Sequence, residues 1–174
     1  SARQAVASLK KGRRIEELEQ FALNDSMTGF YNRNAYDYFI YNEKNIKNYM
    51  VVTFDLNNLK MCNDNYGHSS GDAYIIHSAH IIETTFDRFG KCYRIGGDEF
   101  CCLIPDAAEF QIERFIQKKQ QDIAILNNKN IIPTEVGIAC GYALATPDDA
   151  DIEKVRERAD EMMYHNKKVL KGLI

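Results

Sequence analysis

The sequence predicts an α+β domain in which helices surround and pack against a mixed sheet. Three patterns carry that expectation. Residues 50–56 form a continuous apolar, β-rich run, two further β-rich segments flank Gly96-Gly97, and the intervals between them hold apolar residues at helical spacing.

Residues 14–23 place Ile15, Leu18 and Ala22 on one face with charges between them, so a connecting helix is expected. Its apolar face suits packing on the domain or pairing with a second chain as a short coiled coil, and fewer than two clear heptads leave both open. Asn24-Asp25-Ser26-Met27-Thr28-Gly29 is polar punctuation that stops this helix, and Asn32 is placed to cap a second one running to about residue 48. Met50-Val51-Val52-Thr53-Phe54-Asp55-Leu56 reads as a buried central strand that ends on an acid. A polar loop over 57–70 then leads to a helix with Ile75, Ala79, Ile82 and Phe86 on one face. Cys92-Tyr93-Arg94-Ile95 and Phe100-Cys101-Cys102-Leu103-Ile104 flank Gly96-Gly97-Asp98-Glu99, a hairpin whose tight connection calls for positive φ. Pro105-Asp106 opens a helix to about Asn127. Val136, Ile138, Cys140 and Tyr142 alternate as a strand, and Ile152, Val155, Ala159, Met162 and Leu170 mark a final helix.

A chain of 174 residues is the length of one domain, and 45% hydrophobic content with only 3 prolines supports a real core. No stretch approaches the ~18 consecutive apolar residues of a membrane span. A net charge of −3 argues against a binder of nucleic-acid polymers that works by counterion release. The charge is uneven, since residues 1–14 hold Arg3, Lys10, Lys11, Arg13 and Arg14 and no acid. That segment reads as a solvated linker or as one lying near a membrane. The remainder is more acidic than the average, so any anion it handles must meet a few placed cations or a metal. The five cysteines form neither CxxC pairs nor an even framework, which fits reduced thiols in a cytoplasmic compartment. The Ser-Ala start without a signal peptide suggests a fragment of a longer polypeptide with an N-terminal sensor missing, although tag residues leave the same start.

Asp55 ends a strand expected to be buried, where an unpaired carboxylate is costly and a cation is the natural compensation. Gly-Gly-Asp alone is an ordinary turn. If the hairpin lies beside that strand, Asp55 faces Asp98, with Glu99 next to it. Such hard oxygen ligands suit Mg²⁺ or Mn²⁺ and a metal-assisted phosphoryl or nucleotidyl transfer. Asn63 and Asp72 together offer the donors and acceptors that read a guanine edge. Asp72, three positions before Ile75, is expected on the inward face rather than serving only the helix dipole. His68 reads as a loop hydrogen-bonder, and His77 and His80 as structural. Lys167 and Lys171 project from one side of the last helix; such a pair is usually solvated, but with Lys60 it offers three cations to a triphosphate. No GxxxxGK[ST] is present, so a P-loop is not expected.

Arg94-Ile95-Gly96-Gly97-Asp98-Glu99-Phe100 resembles the signature of the GGDEF family of diguanylate cyclases. The likeness extends through Asp25-Ser26-Met27-Thr28-Gly29-Phe30-Tyr31-Asn32-Arg33, through Phe54-Asp55-Leu56-Asn57-Asn58-Leu59-Lys60 with Asn63-Asp64 and Gly67-His68-x-x-Gly71-Asp72, and through Ala159-Asp160-x-x-Met163-Tyr164-x-x-Lys167. The resemblance implies a linker or signalling helix over 1–24 and a catalytic domain over 25–174 with a nucleotidyl-cyclase-like, ferredoxin-like core. It implies condensation of two GTP into cyclic di-GMP with release of two pyrophosphates, by a homodimer that brings two GTP sites face to face. Asp55, Asp98 and Glu99, with the Leu56 carbonyl, would hold two Mg²⁺ or Mn²⁺ ions. Asp98 or Glu99 would take the 3′-hydroxyl proton, with Lys60 assisting at the reacting phosphates. Asn63 and Asp72 would hold guanine, His68 would support the nucleotide, and Lys60, Lys167 and Lys171 would hold phosphates. A catalytically inactive GTP-binding or protein-interaction module is the alternative. Asn57 stands where many members have Asp, and Lys171 where they have Arg, exchanging a bidentate fork for a point charge. Asp87 and Gly90 stand in place of the R-x-x-D product site, so no product inhibition is expected there. An acid at Asp72 favours GTP over substrate mixtures.

Overall fold

The run Met50–Leu56 is strand β1, buried at every position. It lies inside a four-stranded sheet of order β2 (Lys91–Arg94), β3 (Glu99–Ile104), β1, β4 (Ile138–Leu144). The structure, a computed structural model, describes residues 1–173; Ile174, the expected last residue of the domain, lies outside the described residues. Among the described residues there are six helices: α1 (Ala2–Leu23), α2 (Arg33–Asn42), α3 (Leu59–Tyr66), α4 (His68–Phe86), α5 (Ile112–Asn128) and α6 (Ile152–Leu170).

The α+β class and ferredoxin-like order stand, but the sheet is not mixed: all three strand pairings are antiparallel. The reason is topological. The crossovers β1–α3–α4–β2 and β3–α5–β4 each join strands separated in the sheet by one other strand, so parallel strands never become neighbours.

Strand alternation sorts the core into two layers. Val52, Phe54 and Leu56 face α4 and α5, where Ile75, Ile82 and Phe86 are buried with them. Each such side chain contributes about 1.5–3 kcal/mol of apolar burial. Val51 faces the other way, toward Ala35 and Tyr36 of α2 and Val155 and Ala159 of α6. On that side α6 comes very close to β4. A Cβ at Gly141 would overlap the Ala159 carbonyl and the Met163 backbone nitrogen, so glycine is what permits the approach. Asp151 caps α6 by accepting from the Lys154 N–H, as Asn32 caps α2 by accepting from Ala35.

Four local expectations are corrected. The second helix ends at Asn42, not near residue 48, because Glu43 is extended and Asn48 is left-handed. The segment 57–70 is not a loop throughout, since it contains α3, which buries only Leu59 and Cys62. The fifth helix starts at Ile112 rather than at Pro105: Asp106 has φ of 50° and the Ala107 N–H donates to the Asn48 carbonyl, forming a turn. Gly96 and Gly97 are not among the positive-φ residues. Helix α1 buries none of its residues and leaves Leu9, Ile15, Leu18 and Phe21 exposed. Packing of its face on the domain is therefore not what the structure shows.

Candidate active site

Antiparallel pairing of β1 with β3 sets Asp55 directly opposite Glu99. The Leu56 N–H donates to the Asp98 carbonyl at 3.0 Å, which folds the hairpin tip over the end of β1. Carboxylate oxygens of Asp55, Asp98 and Glu99 consequently lie within 4.8 Å of one another. Gly96 lies against this cluster: a Cβ there would stand 3.2 Å from Glu99 Oε2, and the carboxylate would have to shift by a few tenths of an ångström. Burial raises the Glu99 pKa above the ordinary glutamate value, and the charges of Asp98 and Asp55 add to the rise.

A cation already answers the buried acid. Lys167 Nζ, on α6, donates to Asp55 Oδ1 at 2.6 Å, with the Asp55 side chain only 11% exposed. Leu56, Lys60, Asp98, Lys167 and Lys171 line one cavity of about 420 Å³ with residues of α3. Lys171 is the C-cap of α6 rather than a residue within it, yet it borders that cavity with Lys167.

The expected base-reading residues are not in that lining. Asn63 lies against Gly71, whose missing Cβ leaves room for the Asn63 amide oxygen. His68 is the first residue of α4 and exposed. Asp72 is also exposed, so its expected inward placement is corrected: Gly71, Tyr74 and Ile75 take the buried face of α4. His77 and His80 sit elsewhere, beside a groove between α4 and α5.

Two supports were not legible as such. Arg94 bonds Asp25 through Nη1 at 3.2 and 3.1 Å and the Gly97 carbonyl through Nη2 at 2.8 Å, bracing the tip from the segment after α1. Tyr74 donates to the Asn57 carbonyl at 2.7 Å and accepts from the Gly137 N–H at 2.8 Å, fixing the end of β1 to the start of β4. Burial pushes its phenol up to about 12. Arg94 and Asp25 both stand in quoted motifs, but a separation of 69 positions hides their pairing from a single sequence. Gly90, at the aligned product-site position, has the Leu103 carbonyl where a Cβ would stand, so an aspartate does not fit this backbone.

The chain is similar to known proteins over nearly its whole length. The family model "Diguanylate cyclase, GGDEF domain" matches residues 22–171. Diguanylate cyclase DgcN of Escherichia coli is 31% identical over 157 residues, which cover 87% of this chain and 38% of that protein. Diguanylate cyclase DgcS of Shewanella oneidensis is 27% identical over 161 residues, covering 87% and 52%. The chain thus spans about half, or less, of these relatives. Among solved structures, the coiled coil and GGDEF domain of DgcB from Caulobacter crescentus in complex with c-di-GMP superposes with a TM-score of 0.80 at 23% identity, over 96% of this chain and 93% of that one. Diguanylate cyclase SiaD of Pseudomonas aeruginosa, in complex with its activator SiaC, gives 0.72 at 21%, over 97% and 67%. At such identities the structural likeness concerns the fold.

Proposed function

This chain belongs to the GGDEF domain family, and from that membership we propose that it condenses two GTP into cyclic di-GMP and two pyrophosphates, as the output domain of a larger signalling protein. The observation that carries the reading is the convergence of Asp55, Asp98 and Glu99 beside a cavity lined by Lys60, Lys167 and Lys171. Carboxylates of one sign next to clustered lysines suit a metal-bound polyphosphate better than either an anion or a cation alone.

The donor set fits divalent Mg²⁺ or Mn²⁺. Three carboxylates stand within reach of one another, and Asp55 already draws a cation from α6. Asp55, Asp98 and Glu99 would hold the metals, with the Leu56 carbonyl. Bound there, they supply neutralisation of the charge that develops on the phosphates.

The remaining roles belong to the chain's own groups. Lys60, Lys167 and Lys171 hold phosphate oxygens; for Lys167 this means leaving the Asp55 carboxylate. Asp98 or Glu99 accepts the proton of the attacking 3′-hydroxyl, and the raised pKa of Glu99 favours that task. Asn63 and Asp72, on the adjoining α3 and α4, hold the guanine, and His68 supports the nucleotide. Two copies are needed, since each site presents one nucleotide to the other; the exposed apolar residues of α1 are where the chains pair and where a sensor acts. With Gly90 closed to an aspartate, product does not inhibit through that position.

Replacement Asp98→Ala tests the assignment. Turnover of GTP is expected to fall at least 100-fold while circular dichroism and melting stay those of the parent. Retained turnover in the folded variant would remove Asp98 from the site.

A further inference from the structure

Two cysteines face each other inside the hairpin that carries the acidic tip. Cys92 on β2 and Cys102 on β3 are register partners. Tyr31 takes the outward backbone groups of β2: its N–H donates to the Cys92 carbonyl at 3.1 Å, and its carbonyl accepts from the Arg94 N–H at 2.8 Å. The Cys92 backbone therefore turns away from β3. Cys92 and Cys102 form a non-hydrogen-bonded pair, the closer of the two antiparallel spacings, for which Cα atoms typically stand about 4.5 Å apart. That separation falls within the roughly 4.4–6.8 Å that a disulfide spans. Both side chains point into the same apolar layer, and their sulfurs are 2.9 Å apart. Cys101, next in sequence, points into the opposite layer.

We propose that Cys92 and Cys102 are a thiol-oxidation site that takes hydrogen peroxide as oxidant and closes into an intrachain disulfide clasping β2 to β3. β2 is a four-residue edge strand, and among the described residues its outer side carries a single bridge, from Tyr31. Opening of that edge exposes Cys92, which is 5% exposed even when closed. The Cys92 thiolate attacks the peroxide; the O–O bond breaks, the sulfur gains a hydroxyl as sulfenic acid, and the other oxygen leaves as water after taking a proton. Cys102 then loses its proton and attacks the Cys92 sulfur, forming the S–S bond and expelling the hydroxyl as a second water. Two thiols thus give two electrons to one peroxide. Cys102, on the inner strand and fully buried, reaches no oxidant itself and takes the resolving role. Closure ties together the two arms that set the position of Asp98 and Glu99.

The test treats the full chain with hydrogen peroxide, alkylates remaining thiols after unfolding, and digests with trypsin without reduction. Cleavage after Lys91, Arg94 and Arg114 releases Cys92-Tyr93-Arg94 and the peptide 95–114. The expected result is these two peptides linked, short of two hydrogens and separated by reductant. The link should persist in Cys101→Ala and vanish in Cys102→Ala. Recovery of Cys92 from the oxidised parent as an alkylated thiol or an unlinked sulfinic acid overturns the proposal, and so does a link that survives Cys102→Ala. The parent chain alone decides the first of these, whatever the folding of the variants.

Discussion

Lys167 shows what a single residue's pairing adds to its type. Its position in Ala159-Asp160-x-x-Met163-Tyr164-x-x-Lys167 raises the expectation of a phosphate ligand, and the end of β1 raises that of an acid in want of a cation at Asp55. What no spacing announces is that, across 112 positions, the one answers the other. Removing the lysine leaves Asp55 partly buried without its counter-ion, a cost of roughly 1–3 kcal/mol. Melting in the presence of chelator should therefore place Lys167→Ala several degrees below the parent. Added Mg²⁺ should raise the variant's midpoint by more than the parent's, because the metal takes over the missing charge. Equal midpoints in chelator would mean that the Asp55 pair carries no stability.

At the scale of elements, legibility followed the strength of the apolar pattern. β1, the face of α4 and the span of α6 were plain because long periodic or continuous runs admit one reading. α3 was hidden because eight residues with two buried side chains carry almost no period. The start of α5 was misplaced because Pro105-Asp106 makes a turn that docks on Asn48 instead of opening a helix. The hairpin was legible, but the positive φ expected at its glycines was not met; a Cβ at Gly96 would instead stand close to the Glu99 carboxylate, at 3.2 Å from Oε2. The same tip is braced by Arg94 from Asp25, which joins the exit of α1 to the acidic cluster. Burial opposes the Asp25 carboxylate, but the Thr28 hydroxyl and N–H and the Arg94 guanidinium outweigh it and hold its pKa below the ordinary 3.8. A carboxyl depressed in the folded state adds stability above its unfolded value and loses it as pH falls through the folded one. Asp25→Ala is accordingly expected to lose about 1–2 kcal/mol in urea unfolding at neutral pH. The gap to the parent should close as the pH drops below 3.8; a gap independent of pH would assign the loss to packing instead.

For the whole molecule, the net charge of −3 proves to be an average over opposed regions. Acids gather where β1 and the hairpin meet, and lysines from α3 and the end of α6 stand against them around one cavity. The sheet supplies that meeting: its central strand carries Asp55, its neighbour carries Glu99, and α6 crosses the same face to deliver Lys167. No helix among the described residues is long and apolar enough to cross a membrane. The most direct test is to incubate the folded chain, at high protein concentration, with GTP and Mg²⁺ and to resolve the nucleotides by chromatography and mass spectrometry. Cyclic di-GMP should accumulate with two pyrophosphates for each molecule formed, and chelation should stop it. A folded, dimeric chain that leaves GTP unchanged would contradict the reading of this site as a cyclase.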